Sequence, residues 1–168
     1  MFGLFSWIAL PLGVSWALLR IIHALCEPEV GSLASERPQA LSLELGGNNP
    51  YIVLDGVDVE AEASAAAWAA FFHQVQICLT GGRHIVHERI ADAYVKALVR
   101  KAKDLVVGDL FGQRVQVGPI VNERQAANVE RIVTETIANG AQVLTGGSRP
   151  GLFFEPTEFT GVARNGGV

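Results

Sequence analysis

From Tyr51 onward, short β-branched and apolar runs alternate with longer stretches whose apolar residues recur at helical spacing. That alternation constrains the fold more than any other feature of the chain. Tyr51 to Leu54 lies between Asn48-Asn49-Pro50 and Asp55-Gly56, which predicts a buried strand. Asp58 then predicts a helix cap, with Glu60 and Glu62 in a first turn where the helix dipole favours acids. The helix is expected to run through an Ala-rich stretch to about His73, and a second strand fits Arg83 to His87. Ile90, Tyr94, Leu98, Ala102 and Leu105 mark the next helix, with Lys101 and Lys103 near its C-terminal end. Val107 to Val121, with Gly108, Gly112, Gly118 and Pro119, predicts a long surface connection. Ala126, Val129, Ile132, Val133 and Ile137 form another helical stripe, stopped by Asn139-Gly140. Ala141 to Leu144 predicts a third strand, before Gly146-Gly147 and Pro150-Gly151 turn the chain. The fold class expected is α/β, with mostly parallel strands alternating with helices.

With 168 residues, 49% of them hydrophobic and 18% charged, the chain is long and apolar enough to bury a core, which excludes a disordered composition. A net charge of -4 supplies no basic face, so no nucleic-acid partner is expected. Cys26 and Cys78 are the only cysteines, far apart and in unlike contexts. They make no disulfide framework, which points to a reducing compartment and a cytoplasmic protein. No C-x-x-C, H-E-x-x-H or acidic calcium loop occurs, so no metal site is expected.

Phe2 to Leu19 has no charged residue, and Arg20 and His23 follow it. The length sits at the lower limit for a membrane span, while Gly3, Ser6, Pro11, Gly13 and Ser15 weaken that reading. Neither the basic start nor the small-residue cleavage site of a signal peptide is clear. A stray start, a membrane helix and a buried helix therefore stay open. If residues 2–19 insert, the positive charge behind them keeps the remainder in the cytoplasm, membrane-associated.

Four stretches carry the chemistry: Leu43-Glu44-Leu45-Gly46-Gly47-Asn48, then Phe71-Phe72-His73-Gln74-Val75-Gln76-Ile77-Cys78, then Val117-Gly118-Pro119-Ile120, and Gly151-Leu152-Phe153-Phe154-Glu155-Pro156-Thr157. In this order and spacing, residues from about Gly31 to Val162 resemble the NAD(P)-dependent aldehyde dehydrogenase family, the first two stretches matching its glutamate and cysteine motifs. The resemblance divides the chain into an apolar segment 1–28, a partial catalytic domain 29–162 and a stray end 163–168. It implies oxidation of an aldehyde to a carboxylic acid, with NAD or NADP as cofactor. Cys78 falls on the nucleophile and Glu44 on the carboxylate that activates water for release of a thioester. The residue types suit those roles. Cysteine is the strongest side-chain nucleophile near neutral pH once ionised. A partly buried carboxylate accepts a proton from water. The Cys78 backbone N–H is a candidate oxyanion donor.

Gly46 falls where the family's backbone lies beside the nicotinamide, although a plain turn fits as well. Gln125 falls on a position that reaches the cofactor ribose, although an exposed polar helix residue fits equally. His73 and His84 have ordinary places, at a helix end and in a strand, and Cys26 is structural or incidental. The stretch Cys78-Leu79-Thr80-Gly81-Gly82-Arg83-His84 looks like members acting on aromatic aldehydes such as benzaldehyde or vanillin.

The chain also departs from the family pattern. Val75 stands where glycine is usual, three residues before the nucleophile, and strains the loop if that position takes positive φ. The nucleotide-binding domain, the upstream oxyanion asparagine, the C-terminal glutamate-phenylalanine-glycine-proline motif and the strand through which members form homo-oligomers are not found. The expectation is a chain that does not oxidise aldehydes alone and keeps at most an esterase-like half-reaction. The alternative is a non-catalytic remnant, membrane-tethered through residues 2–19, that serves only in binding.

Overall fold

A computed structural model describes residues 47–112 and 114–162. The apolar run 2–19, Cys26, Glu44, Gly46 and the end 163–168 lie outside the described residues. No described helix is long and apolar enough to cross a membrane.

The first half is a strand–helix–strand–helix unit. Strand β1 (Pro50–Val53) pairs in parallel with β2 (Arg83–Val86), in register from Pro50↔Arg83 to Val53↔Val86. Parallel neighbours need a long crossover, and helix α1 (Val59–Phe71) supplies it. Asp58 caps α1 as its type predicts, its carboxylate accepting from the N–H groups of Glu60 (3.0 Å) and Ala61 (3.2 Å). Alanines at 63, 66, 67 and 70 recur at helical spacing on the buried face. Their small side chains let helix α2 (Ala91–Lys103) pack closely, bringing Tyr94, Ala97, Leu98 and Ala102 into one apolar cluster with Val53 and Phe71. At the rim, the Arg100 guanidinium donates to both Glu60 oxygens (2.6 and 2.5 Å). Both partners are exposed, so the pair orients the helices more than it stabilises them.

The expectation of a buried β1 holds for one face only. Successive strand side chains point to opposite faces. Val53 is buried among the helices, whereas Ile52 and its ladder partner Ile85 are 63% and 51% exposed.

The second half begins with the connection from Val107 to Val121, pinned by a parallel bridge between Val107 and Val117. Helix α3 (Glu123–Ala138) follows, its Asn122 cap accepting from the Gln125 N–H (2.9 Å). The Asn139-Gly140 stop works as expected, with Gly140 at φ +94°. The third strand, β3 (Gln142–Thr145), lies one residue later than expected. It does not join β1 and β2, but pairs antiparallel with β4 (Glu158–Thr160), which the residue pattern does not announce. Gly146 and Gly147, at φ +70° and +98°, follow β3, and the chain turns at Pro150–Phe153, where the Phe153 N–H donates to the Pro150 carbonyl (3.2 Å). Ile120, Ala126, Val133 and Phe154 form a second apolar cluster with Val129, Leu152 and Phe159 around it.

Candidate active site

Cys78 lies in the segment between α1 and β2. The helix expected to reach His73 ends at Phe71, because the next residues leave right-handed space. His73, Gln74 and Val75 have φ of +50°, +55° and +63°, a left-handed turn closed by the Gln76 N–H on the His73 carbonyl (3.0 Å). The strain anticipated at Val75 is therefore present, since a β-branched residue at positive φ is a steric outlier.

A second turn follows at once. The Thr80 N–H donates to the Ile77 carbonyl (3.2 Å), placing Cys78 and Leu79 at its two central positions. The Thr80 hydroxyl donates to the same carbonyl at 2.8 Å and lies 3.4 Å from the Val75 carbonyl oxygen. Cys78 is a free, exposed thiol at the tip.

The residues leading into β1 hold this tip from the side. The Asn49 amide donates to the Cys78 carbonyl (2.8 Å) and the Thr80 carbonyl (3.2 Å), and the Asn49 N–H donates to the latter as well (2.7 Å). Asn48 Oδ1 accepts from the Gly82 N–H (2.8 Å). Two glutamines tie the loop to the second half. Gln76 Oε1 accepts from the Val121 N–H (2.8 Å), and Gln74, with its amide turned to match its neighbours, accepts from the Gly118 N–H (2.9 Å).

Beneath the loop, the Gly81 N–H donates to the Ala69 carbonyl (3.1 Å), and the Gly81 carbonyl meets His84 Nε2 (2.9 Å). A carbonyl only accepts, so Nε2 carries the proton, and Nδ1 accepts from the buried Tyr94 hydroxyl (2.9 Å). Burial holds the His84 pKa below its usual value, against the pull of the Gly81 carbonyl. His84 is thus a brace under the loop, and His73 is an exposed residue of the left-handed turn.

A cavity of about 780 Å³ opens beside the loop, and Asn48, Gln74, Val75, Gln76 and Gln125 are among the residues lining it. Gln125, exposed on the first turn of α3, shares this wall with the residues preceding Cys78, but Cys78 itself is not part of the lining. Glu158 is in the wall too, and burial pushes its carboxyl pKa up to about 7. Nothing in the residues around Glu158 signals that burial, since the carboxylate shares its wall with residues distant in sequence, Tyr94 among them.

The described strand–helix turns do not fit a dinucleotide. An anion-binding turn offers free helix N–H groups to the pyrophosphate. At α1 two of those groups are taken by Asp58, with Glu60 and Glu62 beside them, and Asp92 occupies the first turn of α2.

A model described as "Aldehyde dehydrogenase family" matches residues 27–167. Vanillin dehydrogenase of Amycolatopsis sp. is 45% identical over 132 residues, which are 79% of this chain and 27% of that protein. Benzaldehyde dehydrogenase [NAD(+)] of Pseudomonas putida is 42% identical over 133 residues, covering 77% of this chain and 27% of the relative. The crystal structure of an NAD-dependent aldehyde dehydrogenase from Sinorhizobium meliloti superposes with a TM-score of 0.78 at 33% identity, over 84% of this chain and 29% of that one. The chain thus spans little more than a quarter of the length of the relatives it matches.

Proposed function

This chain belongs to the aldehyde dehydrogenase family, and from that premise we propose that it carries the nucleophile of aldehyde oxidation on Cys78, with Glu44 as the base that releases the product. The Cys78 thiolate adds to the aldehyde carbonyl carbon, and the carbonyl electron pair becomes an oxyanion that the Cys78 N–H stabilises. NAD or NADP, when bound, would supply the hydride acceptor for oxidation of this adduct to a thioester. Glu44 takes a proton from water, which attacks the thioester carbon, frees the carboxylic acid and returns the thiol. Gly46 is assigned to backbone beside the nicotinamide and Gln125 to the cofactor ribose. The family relationship supports these assignments, and the observation that carries the reading is the loop itself: an exposed thiol whose flanking carbonyls, at Ile77, Cys78 and Thr80, are all held by donors.

An aromatic aldehyde is the proposed substrate. The vanillin and benzaldehyde relatives support it. The free thiol accords with a reducing compartment, the cytoplasm in this reading.

The acid-capped helix starts favour a narrower role for the chain by itself: acyl chemistry without hydride transfer. The test offers the purified chain benzaldehyde with NAD or NADP, and separately p-nitrophenyl acetate. Absorbance of reduced cofactor should not rise, while ester hydrolysis should occur and vanish in Cys78→Ala. Ester hydrolysis that survives Cys78→Ala refutes the nucleophile assignment. Cys78-dependent cofactor reduction refutes the narrower role.

A further inference from the structure

We propose that Thr80 is a positioning residue for acyl transfer, its hydroxyl turning the Ile77–Cys78 peptide so that the Cys78 N–H faces the developing oxyanion. The proposal rests on the assignment of Cys78 as nucleophile. Thr80 is 2% exposed, among the most buried polar residues described. Its single hydroxyl proton goes to the Ile77 carbonyl, at 2.8 Å the nearer of two acceptors, and its own N–H reaches that carbonyl from 3.2 Å. A trans peptide is planar, so its C=O and N–H point in opposite directions. With the Ile77 carbonyl held inward by two donors, the Cys78 N–H is turned outward. Among the described residues no acceptor takes that N–H. The peptide on the other side of Cys78 is clamped by Asn49 at 2.8 Å. Both peptides flanking the nucleophile are therefore fixed before any substrate arrives, which is what makes an oxyanion donor effective.

Two reactions of the same thiol separate positioning from plain support. In acylation by p-nitrophenyl acetate, the thiolate forms a C–S bond and pushes the carbonyl pair onto oxygen. That oxyanion collapses, the ester C–O bond breaks, and p-nitrophenolate leaves with the pair. Iodoacetamide forms its C–S bond by displacing iodide and passes through no oxyanion. Both rates scale with thiolate fraction and access, so their ratio isolates the oxyanion donor.

The experiment uses the full chain and Thr80→Val, Thr80→Ala and Thr80→Ser, with acetylation of Cys78 verified by peptide mass. Both hydroxyl-free variants should acylate about 10- to 100-fold more slowly while alkylation stays within about twofold, since loss of one donor costs about 100- to 1,000-fold and here it is misaimed, not removed. Thr80→Ser, which keeps the hydroxyl, should retain both rates. Equal loss of acylation and alkylation in the hydroxyl-free variants overturns the proposal, leaving Thr80 as a support of the loop. So does unchanged acylation in either of them. If Cys78 of the unaltered chain takes no acetyl group, the nucleophile assignment has failed first, and this proposal falls with it.

Discussion

Replacing Val75 by glycine should make the protein more stable, contrary to the usual effect of a glycine. Val75 sits at φ +63°. A non-glycine residue there costs about 1–2 kcal/mol, and strained positions reach about 3, with a β-branched side chain at the upper end. Glycine removes that strain but adds about 0.5–1 kcal/mol of backbone entropy to be lost on folding. The Val75 side chain is 50% exposed, so deleting it forfeits only about half of the roughly 1.5 kcal/mol that burying a valine contributes. The balance is a gain of about 0.5–1.5 kcal/mol. At a urea slope of about 1.5 kcal/mol per M, the midpoint should rise by about 0.3–1 M with the slope unchanged. Val75→Ala serves as the control, because it loses the two γ-methyls but keeps a Cβ at positive φ, and it should lie below Val75→Gly. If Val75→Gly unfolds at lower urea than the unaltered chain, position 75 carries no strain and the left-handed turn is not what limits this loop.

Two further outcomes follow from the second half of the molecule. Glu158 keeps a proton in the folded state up to about pH 7, whereas the unfolded chain gives it up near 4.5. Its contribution to stability therefore falls as pH rises across that window and levels off above it, a loss of roughly 3 kcal/mol at 1.36 kcal/mol per unit. Urea midpoints of Glu158→Gln measured from pH 5 to 8 should be flatter than those of the unaltered chain, and equal slopes would show a solvated carboxylate. Gly146→Ala places a Cβ at φ +70° against the Pro156 carbonyl oxygen, and should cost more than about 2 kcal/mol in thermal or urea unfolding. A loss under about 0.5 kcal/mol would show that the β3–β4 connection gives way easily.

What was legible in the sequence is what depends on neighbours along the chain. Asp58 announced its helix because an N-cap acts within three residues, and Tyr94, Leu98 and Ala102 announced the buried face of α2 because helical spacing is local. Val75 was legible as a strain only through the glycine that the family carries at that position. The grip on Cys78 was not. Asn49 and Thr80 are 31 residues apart, and nothing local tells an asparagine before a strand that it will hold another turn's carbonyls. The one-sided exposure of β1 was equally hidden, since an apolar run looks alike whether helices cover one face or both. Glu44 and Gly46, legible only through the family motif, lie outside the described residues.

The two apolar clusters share no residue, and the loop carrying Cys78 is tied to elements of both. Asn48, Asn49 and the Ala69 carbonyl hold it to the first, while Gln76 and Gln74 hold it to the backbone at Val121 and Gly118, beside Ile120 of the second. Stretches of a protein that open together behave as one cooperative unit in amide hydrogen exchange. Here the thiol-bearing turn is tied to elements of both apolar clusters within one compact unit, Gly47–Val168. If the elements around the second cluster open before the rest, the glutamine tethers are lost while the asparagine clamp on the Cys78 carbonyl remains. In that case the Val121 and Gly118 amides should exchange faster than the Gly82 amide, which the asparagine side holds.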